Sequence, residues 1–290
     1  GYFYNYEFYV IDNEIPVNES DKTNSIELFI GEFPSSLILP LCSNVYDETE
    51  HFYEDLNTLE IDSYLLNLNY FNDIDLENNI ENIFLFSGIF PNDCDISENV
   101  KTKLSNYLEN GGNIYLEGGD IWSNISQSEF INYFNTNVIS DGYNDLFQVS
   151  GLEGTINELL LVEYTGENNW IDQLHGISPA YPTVINNENE YAISIFNPHE
   201  NFNTISSSFE ISGIENDIVR HGLIQNYMSF LENGFNPTWQ KGDLNQDEII
   251  NIIDIILMVE FIIEITNPIL DEFWISDLNH DDFINIQDIT

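Results

Sequence analysis

Positive charge is scarce in this chain. Five Lys and Arg residues stand against 51 Asp and Glu residues, which gives a formal net charge of −46. Such a surface repels nucleic acids and anionic membranes, because both carry negative charge, and it attracts divalent cations. The composition therefore excludes nucleic acid as a partner and indicates that folding and cation binding are coupled.

Long apolar runs are lacking as well. No stretch of about eighteen consecutive apolar residues occurs, so no membrane-spanning segment is predicted. No leader sequence is recognisable at Gly1, which leaves an intracellular chain or a processed, secreted one. Disorder, a common result of high net charge, is excluded by the 20 Phe, 16 Tyr and 4 Trp residues. The length of 290 residues suits one large domain and a small one.

Two acidic segments near the C-terminus repeat one pattern, beginning at Asp243 and Asp277. Side-chain oxygens occupy loop positions 1, 3, 5, 9 and 12 in both copies. Calcium takes oxygen ligands at this spacing, with a backbone carbonyl at position 7 and often a water at position 9. The pattern predicts two calcium ions, and the alternative is an acidic turn that repeats by chance.

The candidate ligands of the first ion are the side chains of Asp243, Asn245, Asp247, Asn251 and Asp254 and the carbonyl of Ile249. Those of the second ion are the side chains of Asp277, Asn279, Asp281, Asn285 and Asp288 and the carbonyl of Phe283.

These loops resemble the dockerin family over roughly residues 241–290, with Asp254 and Asp288 at position 12 as in that family. The resemblance implies a small α-helical calcium-binding module made of two loops, each followed by a helix. This chain departs from the family at position 6, which is Glu248 or Asp282 instead of Gly, and it stops at Thr290 before a second helix.

The resemblance also implies a partner. Dockerins bind cohesin proteins through loop positions 10 and 11, which are Ile252-Ile253 and Ile286-Gln287 here instead of the usual Ser/Thr pairs. The predicted partner is therefore a cohesin-like protein or another copy of this chain, and head-to-tail contacts between copies would build filaments.

Residues 25–233 alternate strand-like and helix-like segments. The predicted strands are Ser25–Ile30, Tyr64–Leu68, Asn82–Phe86, Asn113–Leu116, Glu158–Glu163, Tyr191–Phe196 and, at a sheet edge, Ser206–Ile211. The predicted helices are Tyr46–Glu60, Ile96–Glu109 and Asp217–Asn233. This alternation predicts an α/β fold with a mostly parallel sheet covered by helices on both faces.

The segments 81–89 and 104–120 of this region have a shared pattern: an apolar strand ending in Ser-Gly, a helix, an Asn-Gly-Gly turn and a strand ending in Gly-Gly-Asp. They resemble degenerate class I glutamine amidotransferase-like domains, which implies a flavodoxin-like, doubly wound sheet. Active members carry a Cys nucleophile on the turn that here reads Leu116–Asp120 and contains no Cys. The later Asn197-Pro198-His199-Glu200 only partly matches the family's His-Pro-Glu. We therefore expect no catalytic residues.

Cys42 and Cys94 follow predicted strands that would be neighbours in a flavodoxin-like order. A disulfide between them is the favoured interpretation, and a reactive thiol beside His51 is the alternative. The four Trp residues are better explained as core or junction anchors than as a sugar-binding surface, so glycan contact is a minor possibility. Asn18 and Asn124 lie in glycosylation sequons, which weakly support a secreted chain.

The predicted domains are an N-terminal strand segment (1–24) that belongs to an upstream domain or is donated to a neighbour, an α/β domain (25–233), a linker (234–241) and the calcium module (242–290). We expect an extracellular or cell-surface, non-catalytic assembly protein. The alternative is a hydrolase or glycan-processing enzyme that its dockerin attaches to a scaffold.

Overall fold

The chain folds into many short strands and a few helices. A computed structural model describes residues 2–6, 26–30, 34–76, 79–234, 242–245, 249–263, 265, 268, 275–276, 278 and 284–289. Strands β1 (Tyr2–Tyr6) and β2 (Ile26–Ile30) pair with each other antiparallel as a separate two-stranded sheet. Residues 2–6 of the N-terminal segment thus form a strand, as predicted, and the paired strand lies in the same chain, not in an upstream domain or a neighbour.

The second group of elements alternates strands and helices. It consists of β3 (Ser36–Pro40), α1 (Tyr46–Thr58), β4 (Ser63–Leu65), α2 (Leu68–Phe71), β5 (Asn82–Phe86), α3 (Glu98–Glu109), β6 (Asn113–Glu117) and α4 (Ile121–Ile125). The third group is mostly strands. It consists of β7 (Thr136–Ser140), β8 (Gln148–Gly151), β9 (Leu161–Glu163), β10 (Gln173–Gly176), β11 (Tyr181–Asn186), β12 (Ala192–Pro198) and β13 (Asn203–Ser207), followed by α5 (Asp217–Asn233) and α6 (Ile252–Ile262).

Strands β3 to β13 build one sheet of eleven strands in which two kinds of pairing meet. The path runs β4-β3-β5-β6-β13-β12-β11-β8-β9, and β10 joins β12 to β7. Pairing is parallel from β4 to β13 and antiparallel at every other described pair of this sheet. The sheet is therefore mixed, with a parallel half and an antiparallel half.

The predicted fold class, a flavodoxin-like domain followed by a small helical calcium module, is wrong. The connections between β10, β11, β12 and β13 are too short for parallel crossovers, which need a dozen or more residues, so these strands pair antiparallel. After Gly234 the described residues comprise α6, two further helical residues (Ile275 and Ser276) and short turns.

Two strand predictions also fail. Ser25–Ile30 was expected in the parallel sheet, but Ile26–Ile30 pairs with β1, and Ser36–Pro40 takes the expected place beside β5. Ser206–Ile211 was expected at an edge, but β13 lies between β6 and β12 in the middle of the sheet. Its small, polar Thr and Ser side chains obscured this position, because buried parallel strands usually read as apolar runs.

The core fills both faces of the sheet because neighbouring residues of a strand point to opposite sides. On one face Phe84, Tyr115 and Ile205 pack with residues of α1 and α5 such as Phe52 and Tyr227. On the other face a separate cluster joins the remaining strand positions to α3 and α4. All positions of β3 and β5 are buried, which explains their continuous apolar sequences.

A buried ion pair connects α1 to α5. Arg220 Nε and Nη2 donate to the two carboxylate oxygens of Asp55 at 2.7 and 2.9 Å, and His221 Nε2 lies 2.8 Å from Asp55 Oδ1. His51 Nε2 accepts a hydrogen bond from Arg220 at 3.1 Å, because a guanidinium can only donate. Burial alone would raise the pKa of Asp55, but the hydrogen bonds from Arg220 and His221 lower it.

A disulfide connects Cys42 to Cys94, with their Cα atoms 6.3 Å apart. The favoured interpretation of the two cysteines is confirmed, although Cys42 follows β3 instead of the strand first expected. The paired strands β3 and β5 bring the two following loops together at one edge. The alternative of a reactive thiol beside His51 fails, because the disulfide occupies the sulfur. None of the described helices is both long and apolar enough to cross a membrane.

Removal of the disulfide is expected to lower the free energy of unfolding by about 2–4 kcal/mol, because the bond restricts an unfolded loop of 52 residues. Urea unfolding of the Cys42→Ser/Cys94→Ser variant measures this loss. Reduction of the wild-type chain should give the same midpoint as the variant. Equal stability of the oxidised, reduced and serine forms would contradict the prediction.

Substitution of Arg220 by Ala is expected to destabilise the chain by about 3–5 kcal/mol, since it leaves the Asp55 carboxylate buried without its cation. The matched control is Asp217→Asn, which removes the exposed carboxylate that also pairs with Arg220 and should cost at most about 1 kcal/mol. Chemical denaturation measures both. Similar losses in the two variants would show that burial does not set the strength of this pair.

Candidate metal centres

The first acidic loop is closed by the carboxylate of Asp254. Its Oδ1 accepts hydrogen bonds from the backbone N–H groups of Leu244 at 2.8 Å and Asn245 at 3.1 Å. Its Oδ2 accepts one from the backbone N–H of Asn251 at 2.8 Å. The carboxylate at loop position 12 therefore binds the backbone N–H groups of loop positions 2, 3 and 9.

The second loop repeats these contacts 34 residues later. Asp288 Oδ1 accepts from the backbone N–H of Leu278 at 2.9 Å, and its Oδ2 accepts from that of Asn285 at 2.8 Å. The Asn side chain at position 9 also accepts from the backbone N–H two residues on, in both copies at 2.8 Å. These hydrogen bonds of the Asp at position 12 and the Asn at position 9 thus recur in both copies, although the residues that follow are helical in the first copy and a turn in the second.

The described ligand candidates of these loops are mostly shielded from water. Asp243, Asp254 and Asp288 are buried, Asn245, Asn251 and Asn285 are partly buried, and the Ile249 side chain is exposed. Burial by itself would raise the pKa of Asp254, but hydrogen bonds from backbone N–H groups, first of all that of Asn251, lower it. Asp247, Asp277, Asn279, Asp281 and Phe283 lie outside the described residues. Since every predicted side-chain donor is an oxygen, the set suits a hard cation such as calcium.

Isoleucines at the predicted docking positions are exposed. Ile252 and Ile253 are 64% and 49% exposed, and Ile286 in the second copy is 65% exposed. Further isoleucines along α6, including Ile256, are exposed as well. One flank of α6 instead packs through Met258 onto Leu244. The loops therefore present an apolar surface to solvent, which is a feature of protein-binding sites.

A different set of carboxylates gathers where the parallel strands end. Glu117 ends β6, Glu210 follows β13, Glu48 lies in the first turn of α1, and Glu167 lies in the loop between β9 and β10. The carboxyl ends of parallel strands share an edge, and ligands of α/β proteins bind at such edges. One carboxylate oxygen each from Glu48, Glu167 and Glu210 lies within 4.8 Å of the others.

Hydrogen bonds fix part of this cluster. Glu210 Oε2 accepts from the backbone N–H of Glu167 at 2.6 Å and from the hydroxyl of Tyr164 at 3.4 Å. Asn92 donates to Glu167 Oε1. A Cβ on Gly166 would lie 2.5 Å from Glu210 Oε2, so only glycine lets the loop approach this closely.

The cluster resists full ionisation. Burial, followed by the charges of Glu210 and Glu167, raises the pKa of Glu48 to about 8. Burial raises the pKa of Glu210, although the backbone N–H of Glu167 opposes this. Burial likewise raises the pKa of Glu117, even though the Tyr115 hydroxyl and the Ile211 backbone N–H donate to it. Like charges at this edge therefore attract protons or cations.

A second cluster brings together Asp120 after β6, Asp141 after β7 and Asp172 before β10. Both oxygens of the buried Asp172 carboxylate have partners: Ser123 donates through its backbone N–H at 2.8 Å and its hydroxyl at 2.6 Å. Burial is the main cause that raises the pKa of Asp172 to about 6.

The amidotransferase-like motifs lie at opposite edges of the sheet. The 118–120 turn follows the end of β6, whereas β12 is antiparallel to β13 and places His199 near the edge where β6 begins. The His199 ring stacks on Phe202 with centroids 4.0 Å apart, and its Nδ1 accepts from the Asn201 backbone N–H. This separation prevents the His199 segment from acting on a group at the turn.

The tryptophans have separate environments. Trp122 is fully buried and donates its indole N–H to the carbonyl of Ser207, as a core anchor does. Trp170 is 46% exposed and donates to the carbonyl of Asp141. Trp239 and Trp274 lie outside the described residues.

No family model matches the chain, and no curated protein matches it. Solved structures similar to it include the mmIFT52 N-terminal domain, which is 12% identical with a TM-score of 0.49 and covers 70% of this chain and 100% of its own. Exo-beta-1,4-mannosidase Op5Man5 from Opitutaceae bacterium strain TAV5 is 10% identical with a TM-score of 0.48, covering 68% of this chain and 36% of its own. The polyextremophilic beta-galactosidase from the Antarctic haloarchaeon Halorubrum lacusprofundi is 12% identical with a TM-score of 0.46, covering 68% and 30%. Similarity of this degree identifies no family for the chain.

Sequence reasoning missed both clusters at the sheet edge. Glu117 at a strand end was a usable signal, because it follows four residues that are largely apolar. Glu48, Glu167 and Glu210 are far apart in sequence, and acidic residues are so frequent that their positions alone indicate nothing. Only the sheet order brings them together.

The stability of the calcium-free chain is expected to fall as the pH rises from about 4 through 6, in part because of Asp172. Its pKa in the folded chain, about 6, exceeds the value of about 3.9 for a free Asp, so the folded state holds the proton more tightly over this range. The nearby Asp120 and Asp141 charges oppose ionisation further.

Asp172→Asn should reduce the pH dependence of the unfolding free energy by roughly 2 kcal/mol between pH 4 and 7. The amide can still bond both groups of Ser123. Urea unfolding at several pH values measures the slope, with the exposed Glu54→Gln as control. An unchanged slope in Asp172→Asn would rule out this group as the cause.

Proposed function

We propose that this chain is a non-catalytic assembly protein whose C-terminal loops bind two calcium ions and hold an apolar surface ready for a protein partner. The observation that carries this proposal is the repeated closure of both loops by the position-12 carboxylates, Asp254 and Asp288. The contacts between Asn251 and Asp254 form a helix capping box, but the bonds from the backbone N–H at loop position 2 go beyond such a cap and close both loops.

Calcium would be held by the twelve ligand positions predicted from the sequence. The bound ion supplies positive charge that offsets the mutual repulsion of the loop carboxylates. The residues of the chain do the rest. Asp254 and Asp288 hold the loop ends together, and Leu244 packs against Met258 so that the first loop is attached to α6.

The proposed partner is a cohesin-like protein or another copy of this chain. Ile252, Ile253 and Ile286 occupy loop positions 10 and 11 and are exposed. Burial of such side chains is worth about 1.5–3 kcal/mol each, which is enough for a few of them to dominate a contact. The proposed location is the cell surface or extracellular space, and the disulfide supports an oxidising compartment.

Calorimetric titration tests the calcium sites. The Asp243→Ala/Asp277→Ala variant removes position 1 from each loop and should bind two calcium ions fewer than the wild-type chain. The control Glu54→Ala/Glu188→Ala removes the same charge at exposed positions and should bind as many ions as the wild type. Identical stoichiometry in the loop variant and the wild type would contradict the proposal.

Association experiments test the partner. Light scattering of the chain, alone and mixed with a cohesin, should reveal a larger species with calcium and none with a chelator. Ile252→Asp/Ile253→Asp should weaken that association at least tenfold while calcium binding persists. A calcium-saturated chain that stays monomeric at high concentration and ignores the cohesin would overturn the assembly function.

A further inference from the structure

The cluster of Glu48, Glu167 and Glu210 is built from three separate parts of the fold. The first turn of α1, the β9–β10 loop and the segment after β13 each contribute one carboxylate. Glu167 is exposed, Glu48 is partly buried and Glu210 is 2% exposed. The cluster therefore opens to solvent on one side and ends in a buried carboxylate on the other, which gives an ion a route of entry.

One oxygen of the buried carboxylate has no N–H or hydroxyl donor. Glu210 Oε2 accepts from the backbone N–H of Glu167 and the hydroxyl of Tyr164, whereas Oε1 accepts from no such group among the described residues. The other hydrogen bond of Glu210 is with the carboxyl of Glu48, which requires a proton between the two acids. Burial of a carboxylate oxygen without a donor is costly, and a cation that replaces this proton would compensate both acids.

The described Lys and Arg residues are engaged elsewhere. Of these three, Lys101 pairs with Glu98, Lys103 donates to two backbone carbonyls, and Arg220 binds the carboxylate of Asp55. None of these three compensates the charge of the cluster, so a proton or an ion in solution is the compensation that we consider.

The all-oxygen ligand set suits calcium among the common ions. Calcium binds oxygen at about 2.3–2.6 Å, so one ion can touch two oxygens that lie up to about 4.8 Å apart on opposite sides of it. The three oxygens lie within 4.8 Å of one another. Magnesium demands near-octahedral geometry at about 2.1 Å, whereas calcium accepts the irregular arrangement that three separate chain segments provide. Carboxylate ligands without sulfur or imidazole also argue against zinc and copper.

We propose that Glu48, Glu167 and Glu210 form a third calcium site, separate from the two C-terminal loops. The ion binds between α1 and the two chain segments and fixes their relative positions at the carboxyl edge of the parallel strands. Asn92 and Tyr164 act as positioning residues, because they hold Glu167 and Glu210 in place. Water completes the coordination on the exposed side.

Calcium titration of the chain without functional loops tests this site. In the Asp243→Ala/Asp277→Ala background we expect one remaining calcium ion per chain. Adding Glu210→Gln should abolish its binding, and adding the exposed Glu167→Gln should weaken it at least tenfold. Adding Asp141→Asn, in the neighbouring cluster whose buried Asp172 has partners on both oxygens, should leave it unchanged. Circular dichroism confirms that each variant is folded.

The stoichiometries separate this site from the loops. Three ions in the wild type and one in the loop variant support both sites. Two ions in the wild type and none in the loop variant would overturn the third site and leave the loops intact. One ion in both would instead contradict the loop sites. Binding that survives both Glu210→Gln and Glu167→Gln would also overturn the assignment, since a proton shared by Glu48 and Glu210 would then account for the cluster.

Discussion

Mutual repulsion among carboxylates is the constraint on which this structure depends. With 51 acidic residues and five fixed cations, each buried carboxylate needs its own compensation. The carboxylate of Asp55 accepts hydrogen bonds from the guanidinium of Arg220. Those of Asp254 and Asp288 accept from backbone N–H groups, and that of Asp172 accepts from Ser123. Salt screens the interactions of exposed carboxylates beyond about 10 Å. Bound cations are therefore expected to stabilise the fold mainly at the buried carboxylates.

Burial of apolar side chains on the sheet supplies the free energy that stabilises the fold against this repulsion. Strands β3, β5 and β6 are buried on both faces, and the aromatic rings of Phe52, Phe84 and Tyr115 pack at centroid distances of 5.1–6.3 Å. Each buried aromatic or aliphatic side chain contributes about 1.5–3 kcal/mol, whereas a surface charge pair contributes at most about 1 kcal/mol. The core therefore fixes the fold, and electrostatics acts on the loops and helix ends that border it.

The sequence predicted local elements better than their arrangement. Five elements were predicted close to their observed bounds: the helices α1, α3 and α5 and the strands β5 and β6. Apolar periodicity marks these elements, and glycines that follow α3 and α5 mark the ends of those helices. In the antiparallel half, β9 and β12 overlap the predicted strands Glu158–Glu163 and Tyr191–Phe196. Strands β7, β8, β10 and β11 and the antiparallel pairing were missed, because pairing and register depend on partners distant in sequence. The proposed calcium loops are visible in sequence because their candidate ligands are local. The Glu48 cluster is not, because three distant segments meet only after the sheet has formed.

The central claim is that calcium, as a specific ligand and not merely as a salt, completes this acidic structure. The most direct test is the thermal unfolding midpoint of the full chain in calcium chloride and in sodium chloride at equal ionic strength. Specific sites predict a midpoint that is several degrees higher in calcium, since a ligand that binds only the folded state stabilises it by mass action. Equal midpoints in the two salts would mean that screening alone compensates the carboxylates, and the account would be contradicted.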